Sequence, residues 1–311
     1  MKIAFILDPL AALKAYKDSS IAMMRVAQAR GHAVFSIQRK ALSVRDGIVI
    51  ARSLPIRLRD DNHDWFEPGE AEVLPLSTFD AVLMRQDPPF DAEYVAATWI
   101  LERAVAQGAR IFNDPRAIRD HSEKVSIAEF PQFTPTTLIS REASGLNAFI
   151  DELGDVILKP LDGMGGTGIF RVRHDDPNRN AIIETLTDNG RRTIMAQRYL
   201  PQIAEGDKRV LLVGGEVMPY TLARIPMAGE TRGNLAAGGK GVAMPITARE
   251  KEIAEALAPV LWQRGLLLVG LDMIGGHLTE INVTSPTCMV EIAQQTGFDV
   301  ASHLIEKLET L

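Results

Sequence analysis

Residues 155–172 read DVILKPLDGMGGTGIFRV and carry four glycines, at positions 163, 165, 166 and 168. Because glycine has no Cβ, backbone N–H groups in such a segment can turn toward an anion. Gly163, Gly165 and Gly168 match the spacing of the dinucleotide-binding fingerprint, which requires a helix directly after the glycines. The sequence after Gly168 alternates and is rich in β-forming residues, so we predict that the glycines connect two strands.

A glycine-rich hairpin of this kind is typical of a flap that covers phosphates, as in protein kinases. Lys159 lies four residues before Gly163 and would place an ammonium group over the same phosphates. The alternative is a flexible surface hairpin that binds nothing. The rest of the sequence has to distinguish these two interpretations.

Composition excludes several classes of protein. The chain has 311 residues, enough for two domains or for one large domain with an insertion. Its net charge of −6 argues against nucleic-acid binding. It has no run of 18 apolar residues and therefore no predicted membrane span. A single cysteine, Cys288, excludes an internal disulfide and predicts a reducing, cytoplasmic location.

The first third of the chain alternates strands and helices. Strands are predicted at residues 2–7, 33–37, 79–84 and 110–113, and helices at residues 18–31 and 91–107. This order predicts a doubly wound α/β domain with a parallel sheet, in which ligands bind at the carboxyl ends of the strands. Arg85 follows such a strand, and its alternative role is a structural ion pair with Asp87 or Asp91.

Two further units follow the α/β domain, whose boundary we place near residue 120. A helix capped by Asp114 and begun by Pro115 is predicted to carry Lys124 at its far end. Residues 121–200 predict a small antiparallel α+β module around the glycine hairpin. Residues 201–311 predict a third unit that includes a glycine-rich, flexible loop at 225–242. Lys240 in that loop is displaced by one residue from the P-loop position, so the loop is not a P-loop.

Three oxygen ligands lie close together in two predicted strands near the C-terminus. Asp272 belongs to the first strand, and Glu280 and Asn282 share one face of the second. Oxygen donors without His or Cys favour Mg²⁺. A two-residue turn at positions 275–276 would put Asp272 on the opposite face, so the metal hypothesis requires an odd-length turn or a bulge. The alternative is a buried carboxylate satisfied by backbone donors.

Arg209, Arg224 and Arg232 are spread along the segment predicted to face these acids. Guanidinium groups near a metal–phosphate centre stabilise a transferring phosphoryl group or hold a carboxylate. The six histidines show no ligand spacing, and Cys288 has no nearby His that would activate it as a nucleophile.

Several longer strings resemble the bacterial glutathione synthetase family of the ATP-grasp superfamily, and the resemblance covers nearly the whole chain. The strings are MRQDPPFD (84–91), ILKPLDGMGG (157–166), GDKR (206–209), GETRGNLAAGG (229–239) and LTEINVTSPT (278–287). The resemblance implies an N-terminal α/β substrate domain at 1–120, an ATP-grasp lid subdomain at 121–200 and a catalytic ATP-grasp subdomain at 201–311.

The resemblance also implies an activity. A ligase of this family joins γ-glutamylcysteine and glycine through an acyl phosphate and releases glutathione, ADP and phosphate. It uses ATP as cosubstrate and Mg²⁺ as cofactor, with Mn²⁺ as an alternative, and works as a cytoplasmic homotetramer. Two other functions stay open: another ATP-grasp carboxylate–amine ligase, which adds a different amine, and a nucleotide-binding regulator that has lost catalysis.

Matching positions imply the following roles. The residues that would contact ATP are Lys124, Lys159, Gly163, Gly165, Gly166, Gln197, Tyr199, Leu200 and Asp207. Those that would bind the dipeptide are Arg85, Arg224, Ser285 and Thr287, and those that would bind the metal are Asp272, Glu280 and Asn282. Arg209 would stabilise the acyl phosphate, and Arg232 with its loop would close the site. Lys240 and Val290 stand where relatives carry Arg or another basic residue, which leaves their roles open.

Overall fold

A computed structural model describes residues 1–230, 232–233, 235 and 238–311. Its first sheet contains the strands β1 (Lys2–Leu7), β2 (Ala33–Arg45), β3 (Ile48–Leu58), β4 (Phe66–Pro68), β5 (Glu72–Pro75), β6 (Ala81–Met84) and β7 (Ile111–Phe112). The strand order is β4-β3-β2-β1-β6-β7, with β5 paired to β3. The strands β2, β1, β6 and β7 are parallel, whereas β3 returns antiparallel after the Asp46–Gly47 turn.

Helices cover both faces of this sheet, which confirms the predicted doubly wound fold. The helices are α1 (Ser19–Ala29), α2 (Ala92–Val105) and α3 (Pro115–Asp120). Along β1, Ile3, Phe5 and Leu7 join the apolar core around α1, whereas Ala4 and Ile6 join the core around α2. The three helices begin after the N-cap carboxylates Asp18, Asp91 and Asp114, each of which accepts hydrogen bonds from first-turn N–H groups.

The position predicted for Lys124 was wrong. The helix that Pro115 begins ends at Asp120, so Lys124 lies beyond it, directly before a 3₁₀ turn at Val125–Glu129. The short helix leaves Lys124 in a connecting segment, close to the second and third sheets.

The second sheet contains the glycine hairpin. Its elements are β8 (Thr137–Ser140), α4 (Ala143–Leu153), β9 (Asp155–Pro160), β10 (Phe170–Arg173), α5 (Arg179–Thr187) and β11 (Ile194–Arg198). The order β10-β9-β11-β8 is antiparallel throughout. Phe170 pairs with Leu158 across the hairpin, which confirms that the glycines connect two strands.

The third sheet has the order β14-β13-β12-β15-β16. Its elements are β12 (Asp207–Val213), β13 (Glu216–Ile225), β14 (Lys240–Pro245), α6 (Ala248–Gln263), β15 (Leu268–Ile274), β16 (His277–Asn282), α7 (Met289–Thr296) and α8 (Val300–Thr310). Lys240 pairs with Ile225 at the start of β14, so the predicted loop at 225–242 was too long at its C-terminal end.

The first and third sheets share one apolar core. That core joins Ile3 and Phe5 of β1 to Leu211 of β12, with Met289 of α7 and Leu304 of α8 packed between them. The helix α7 was not predicted. In the described residues, no helix is long and apolar enough to cross a lipid bilayer.

Candidate active site

A cleft with an empty volume of about 850 Å³ lies between the second and third sheets. The glycine hairpin covers one end, and the segment after β11 forms the other. Its lining includes nine residues predicted to contact ATP: Lys124, Lys159, Gly163, Gly165, Gly166, Gln197, Tyr199, Leu200 and Asp207. A cleft lined by apolar and converging polar groups suits a nucleotide.

The hairpin is held over the cleft by a buried cation. Lys124 Nζ donates a hydrogen bond to the carbonyl oxygen of Gly163, at 2.9 Å. Gly165, Gly166 and Gly168 all have positive φ angles, which a residue with a Cβ rarely adopts. The hairpin therefore needs glycine at these three positions to take the shape it has.

The two acids predicted to bind metal face each other across the sheet. Asp272 pairs directly with Glu280, and Gly270 pairs with Asn282, because Thr279 is an extra residue in β16. Without this β-bulge, the two-residue turn at Gly275–Gly276 would put Asp272 on the other face. The required bulge is therefore confirmed, and it brings all three predicted ligands to one face.

Asp272 is the centre of a buried cluster of charges. Arg209 donates to both of its oxygens, each at 2.7 Å, and Arg224 Nη2 lies 2.9 Å from Asp272 Oδ2. Arg224 also contacts Asp207, at 2.6 Å. Burial acts to raise the pKa of the Asp272 carboxyl, but the two guanidinium groups outweigh it and hold that pKa below its ordinary value. Asp272 is therefore ionised at neutral pH.

Glu280 is paired with the two lysines. Its Oε1 lies 3.2 Å from Lys159 Nζ and 3.6 Å from Lys124 Nζ. Burial acts to raise the pKa of Glu280, but Lys124 and Lys159 overcome this effect and lower it. Within the part of the chain that the structure describes, the carboxylates are thus satisfied by basic side chains and not by backbone donors, contrary to the alternative considered from the sequence.

The donor set fits a hard divalent cation. Within the described residues, Glu280 Oε2 makes no hydrogen bond, and the Asn282 side-chain amide donates to Gly270, which leaves Asn282 Oδ1 as a further acceptor. No cluster of three His, Cys, Asp or Glu side chains suited to a metal occurs in the described residues. A site here therefore requires the amide oxygen of Asn282 beside the two carboxylates.

A second cavity with an empty volume of about 1340 Å³ meets the first at these acids. The two cavities share Gly163, Met164, Gly165, Asp272 and Glu280. The second cavity is also lined by Arg209, Arg224, Asn282, Ser285 and Thr287. Ligands bound in the two cavities would therefore meet beside Asp272 and Glu280.

Arg85 was predicted to contact substrate, but it lines neither cavity among the described residues. It is 5% exposed, and it donates to Ser20 Oγ and to the carbonyl oxygen of Pro286. Arg85 does not form the alternative ion pair with Asp87 or Asp91 either. Asp87 accepts a hydrogen bond from the Ser285 hydroxyl, and Asp91 lies near Arg39. Burial lowers the pKa of Arg85. Arg85 therefore supports the 285–287 segment from behind.

Arg232 links the long loop to the glycine hairpin. Its Nη2 donates to Glu230, at 2.6 Å, and its Nη1 approaches the carbonyl oxygen of Gly166, at 3.5 Å. Arg232 also lines the cleft under the glycine hairpin. The Arg232 side chain thus reaches the glycine hairpin.

Some site residues were missed from the sequence. Glu123 lines the second cavity and accepts three hydrogen bonds at Oε1, from the N–H groups of Val283 and Thr284 and from the Thr284 hydroxyl. Lys17 and Met164 also line that cavity. Glu123 directly precedes Lys124, and this position beside a predicted ATP-contacting lysine is the sequence signal that could have identified Glu123. Val290, in contrast, lines a separate surface groove.

This architecture is the ATP-grasp fold. The solved structure of the D-cycloserine synthetase DcsG superposes with a TM-score of 0.67 at 14% identity, covering 99% of this chain and 100% of that one. At this identity the comparison establishes the fold alone.

Sequence comparison identifies the family. Residues 1–119 match the family "Prokaryotic glutathione synthetase, N-terminal domain", and residues 123–297 match "Prokaryotic glutathione synthetase, ATP-grasp domain". The glutathione synthetase of Ralstonia nicotianae is 60% identical over 309 residues, covering 99% of this chain and 95% of the relative. That of Bordetella parapertussis is 58% identical over 315 residues, covering 100% and 99%. The chain belongs to the prokaryotic glutathione synthetase family.

Proposed function

We propose that the protein catalyses ATP-dependent ligation of γ-glutamylcysteine to glycine. The observation that carries this proposal is the junction of two cavities at Asp272 and Glu280, in a chain of this family. The cleft under the glycine hairpin suits ATP, and the second cavity suits a small polar dipeptide. The junction places the phosphate end of one ligand beside a carboxylate of the other.

The reaction has two steps. An oxygen of the cysteinyl carboxylate attacks the γ-phosphorus of ATP, the bond to ADP breaks, and an acyl phosphate forms. The glycine amine then attacks the acyl carbon, phosphate leaves, and the nitrogen loses a proton. Both steps build negative charge on phosphoryl oxygens, which fixed cations stabilise.

Fixed cations are concentrated at the junction. The described residues there include four basic side chains and three acidic ones: Lys124, Lys159, Arg209 and Arg224 against Asp207, Asp272 and Glu280. This excess of positive charge attracts a polyphosphate. We assign the lysines to the ATP phosphates and Arg209 to the acyl phosphate. Arg224, Ser285 and Thr287 bind the dipeptide, and Arg85 acts indirectly through the segment it supports.

Asp272, Glu280 and Asn282 would hold Mg²⁺, or Mn²⁺ in its place. Such an ion, when bound, neutralises phosphate charge during transfer. The division into units at 1–120, 121–200 and 201–311, the cytoplasmic location and the homotetramer stay predictions. So do the roles of Gln197, Tyr199 and Leu200 at adenine, of Asp207 at ribose, and of Lys240.

The test is phosphate release from ATP and Mg²⁺ in the presence of γ-glutamylcysteine, with and without glycine. We expect rapid release only with both substrates, at one phosphate per glutathione formed. Release that requires a different acid–amine pair would identify another carboxylate–amine ligase. No release with any pair, combined with tight ADP binding, would favour a non-catalytic regulator.

A further inference from the structure

Tyr199 is fixed on two sides at the end of the ATP cleft that lies away from the glycine hairpin. The guanidinium carbon of Arg171 lies 3.6 Å from the centre of the Tyr199 ring. Asp155 accepts hydrogen bonds from Arg171 Nε at 2.9 Å and from Arg171 Nη2 at 2.6 Å. The main chain of Asp155 also accepts the N–H of Tyr199, at 3.1 Å. The arginine–carboxylate pair thus holds the ring of Tyr199, and the main chain of Asp155 holds its backbone.

Strand register explains why these residues meet. Arg171 on the edge strand β10 pairs with Ile157 of β9, and Ile157 pairs with Gln197 of β11. Directly paired residues share a face of the sheet, as do residues two apart on one strand. Asp155 lies two residues before Ile157, and Tyr199 lies two residues after Gln197. The Arg171 side chain therefore crosses β9 on the cleft side to reach Tyr199.

The same register locates Tyr199 along the cleft. Asp155 begins β9, and Lys159 lies four residues further toward the hairpin, a distance of about 13 Å along a strand. Lys159 and Glu280 mark the phosphate end. The opposite end is lined by Tyr199 together with Ile157, Leu200 and Ile203. An apolar end of this kind suits a flat heteroaromatic base.

We propose that Arg171, with Asp155, is a positioning residue for the nucleotide base and acts through Tyr199. The proposal deepens the function proposed above and rests on that ATP site. A guanidinium can stack on a tyrosine ring, which an ammonium cannot do, and the bidentate carboxylate holds the Arg171 guanidinium in place. The pair thereby keeps the ring of Tyr199 ordered before ATP binds, which reduces the entropy lost on binding.

Arg173 provides a matched control. It lies two residues from Arg171 on the same strand, and its Nε is 3.9 Å from the same Asp155 carboxylate. Its side chain is 60% exposed. Arg171→Met and Arg173→Met therefore remove the same charge from the same strand, but only Arg171→Met removes a stacking partner of Tyr199.

The experiment measures steady-state kinetics and ADP binding in the presence of Mg²⁺, using the full chain. We expect Arg171→Met to raise KM for ATP by roughly tenfold, or about 1.4 kcal/mol. The kcat at saturating ATP and the KM for γ-glutamylcysteine should stay unchanged. Tyr199→Leu should match Arg171→Met, and the double variant should be no worse than either. Arg173→Met should behave as wild type, with Arg171→Lys intermediate.

Equal KM values for ATP in the Arg171→Met and Arg173→Met variants would overturn the proposal. So would an Arg171→Met variant whose melting temperature, kcat and both KM values all change together, because that is the pattern of general destabilisation. ADP titration separates this inference from the proposed activity. If the wild type fails to form glutathione but binds ADP about tenfold more tightly than Arg171→Met, the ligase proposal fails and the positioning role stands.

Discussion

Asp272 and Glu280 face each other across β15 and β16, and Thr279 is the extra residue that makes this pairing possible. One carboxylate contacts two arginines and the other contacts two lysines. A single β-bulge thus joins two groups of cations at the boundary between the two cavities. The charges that bind the substrates are arranged before either substrate arrives.

Asp272→Asn should destabilise the fold. Among the described residues, the substitution leaves the buried guanidinium group of Arg209 without its carboxylate partner, whereas Arg224 keeps Asp207. Removing one member of a buried ion cluster costs about 3–5 kcal/mol. Urea unfolding followed by circular dichroism measures this loss, and Asp60→Asn on an exposed loop is the control. Equal midpoints for Asp272→Asn and the wild type would contradict the structural role assigned to this pairing.

Glu280→Gln should abolish turnover in a protein that remains folded. The amide keeps the shape of the side chain but removes the charge that faces Lys124 and Lys159 and that would bind the metal. We expect kcat to fall by at least about a thousandfold, since a metal contributes several kcal/mol of charge stabilisation. Phosphate release and the melting temperature are measured together, with Glu255→Gln on α6 as the control. An unfolded Glu280→Gln protein would instead show that this acid is mainly structural.

Local sequence signals predicted much of the fold. The N-cap residues Asp18, Asp91 and Asp114 begin the helices where they were expected, because a capping side chain acts on its own first turn. The bulge near Glu280 was predictable as well. Side chains alternate between the two faces of a sheet along each strand. When the turn that joins two strands is known, few arrangements therefore place Asp272 and Glu280 on one face.

Contacts between distant segments could not be predicted in this way. Arg85 meets the carbonyl of Pro286 across the shared core of the first and third sheets. Glu123 holds the backbone of Thr284, far along the chain. Neither partner leaves a periodic signal in the sequence. The helix α7 was missed because it is short and begins after Cys288, which adopts a left-handed conformation with φ of 90°.

His121 should make the free energy of unfolding depend on pH. Its Nδ1 donates to the carbonyl of Ala117, and its Nε2 accepts from Arg264, so the ring is neutral. Burial lowers the pKa of His121 below its ordinary value of 6.5. Below pH 6.5 the unfolded state therefore binds more protons than the folded state, and the free energy of unfolding falls as the pH drops. At a pH below both pKa values of His121, the total loss is about 1.4 kcal/mol for each unit by which the folded and unfolded pKa values differ.

His121→Gln keeps a donor and an acceptor but cannot titrate. We expect its free energy of unfolding to fall less than that of the wild type between pH 7.5 and pH 5.5, measured by urea unfolding. Burial raises the pKa of Asp207, which has the opposite effect on stability, but this effect is common to both proteins. Parallel pH profiles would exclude His121 as the source of the dependence.

Arg232→Ala should separate ATP hydrolysis from ligation. Arg232 connects Glu230 in the long loop to the carbonyl of Gly166 in the glycine hairpin. An acyl phosphate at the junction is protected only while these two segments exclude water. Without the guanidinium, we expect kcat for glutathione formation to fall by about ten- to a hundredfold, since a closing contact contributes roughly 1.4–2.7 kcal/mol. The phosphate released per glutathione should rise above one, measured by parallel phosphate and thiol-product assays.

Arg249→Ala, which removes an exposed arginine on α6, should leave both values unchanged. A fall in kcat with the ratio still at one would mean that Arg232 assists transfer without excluding water.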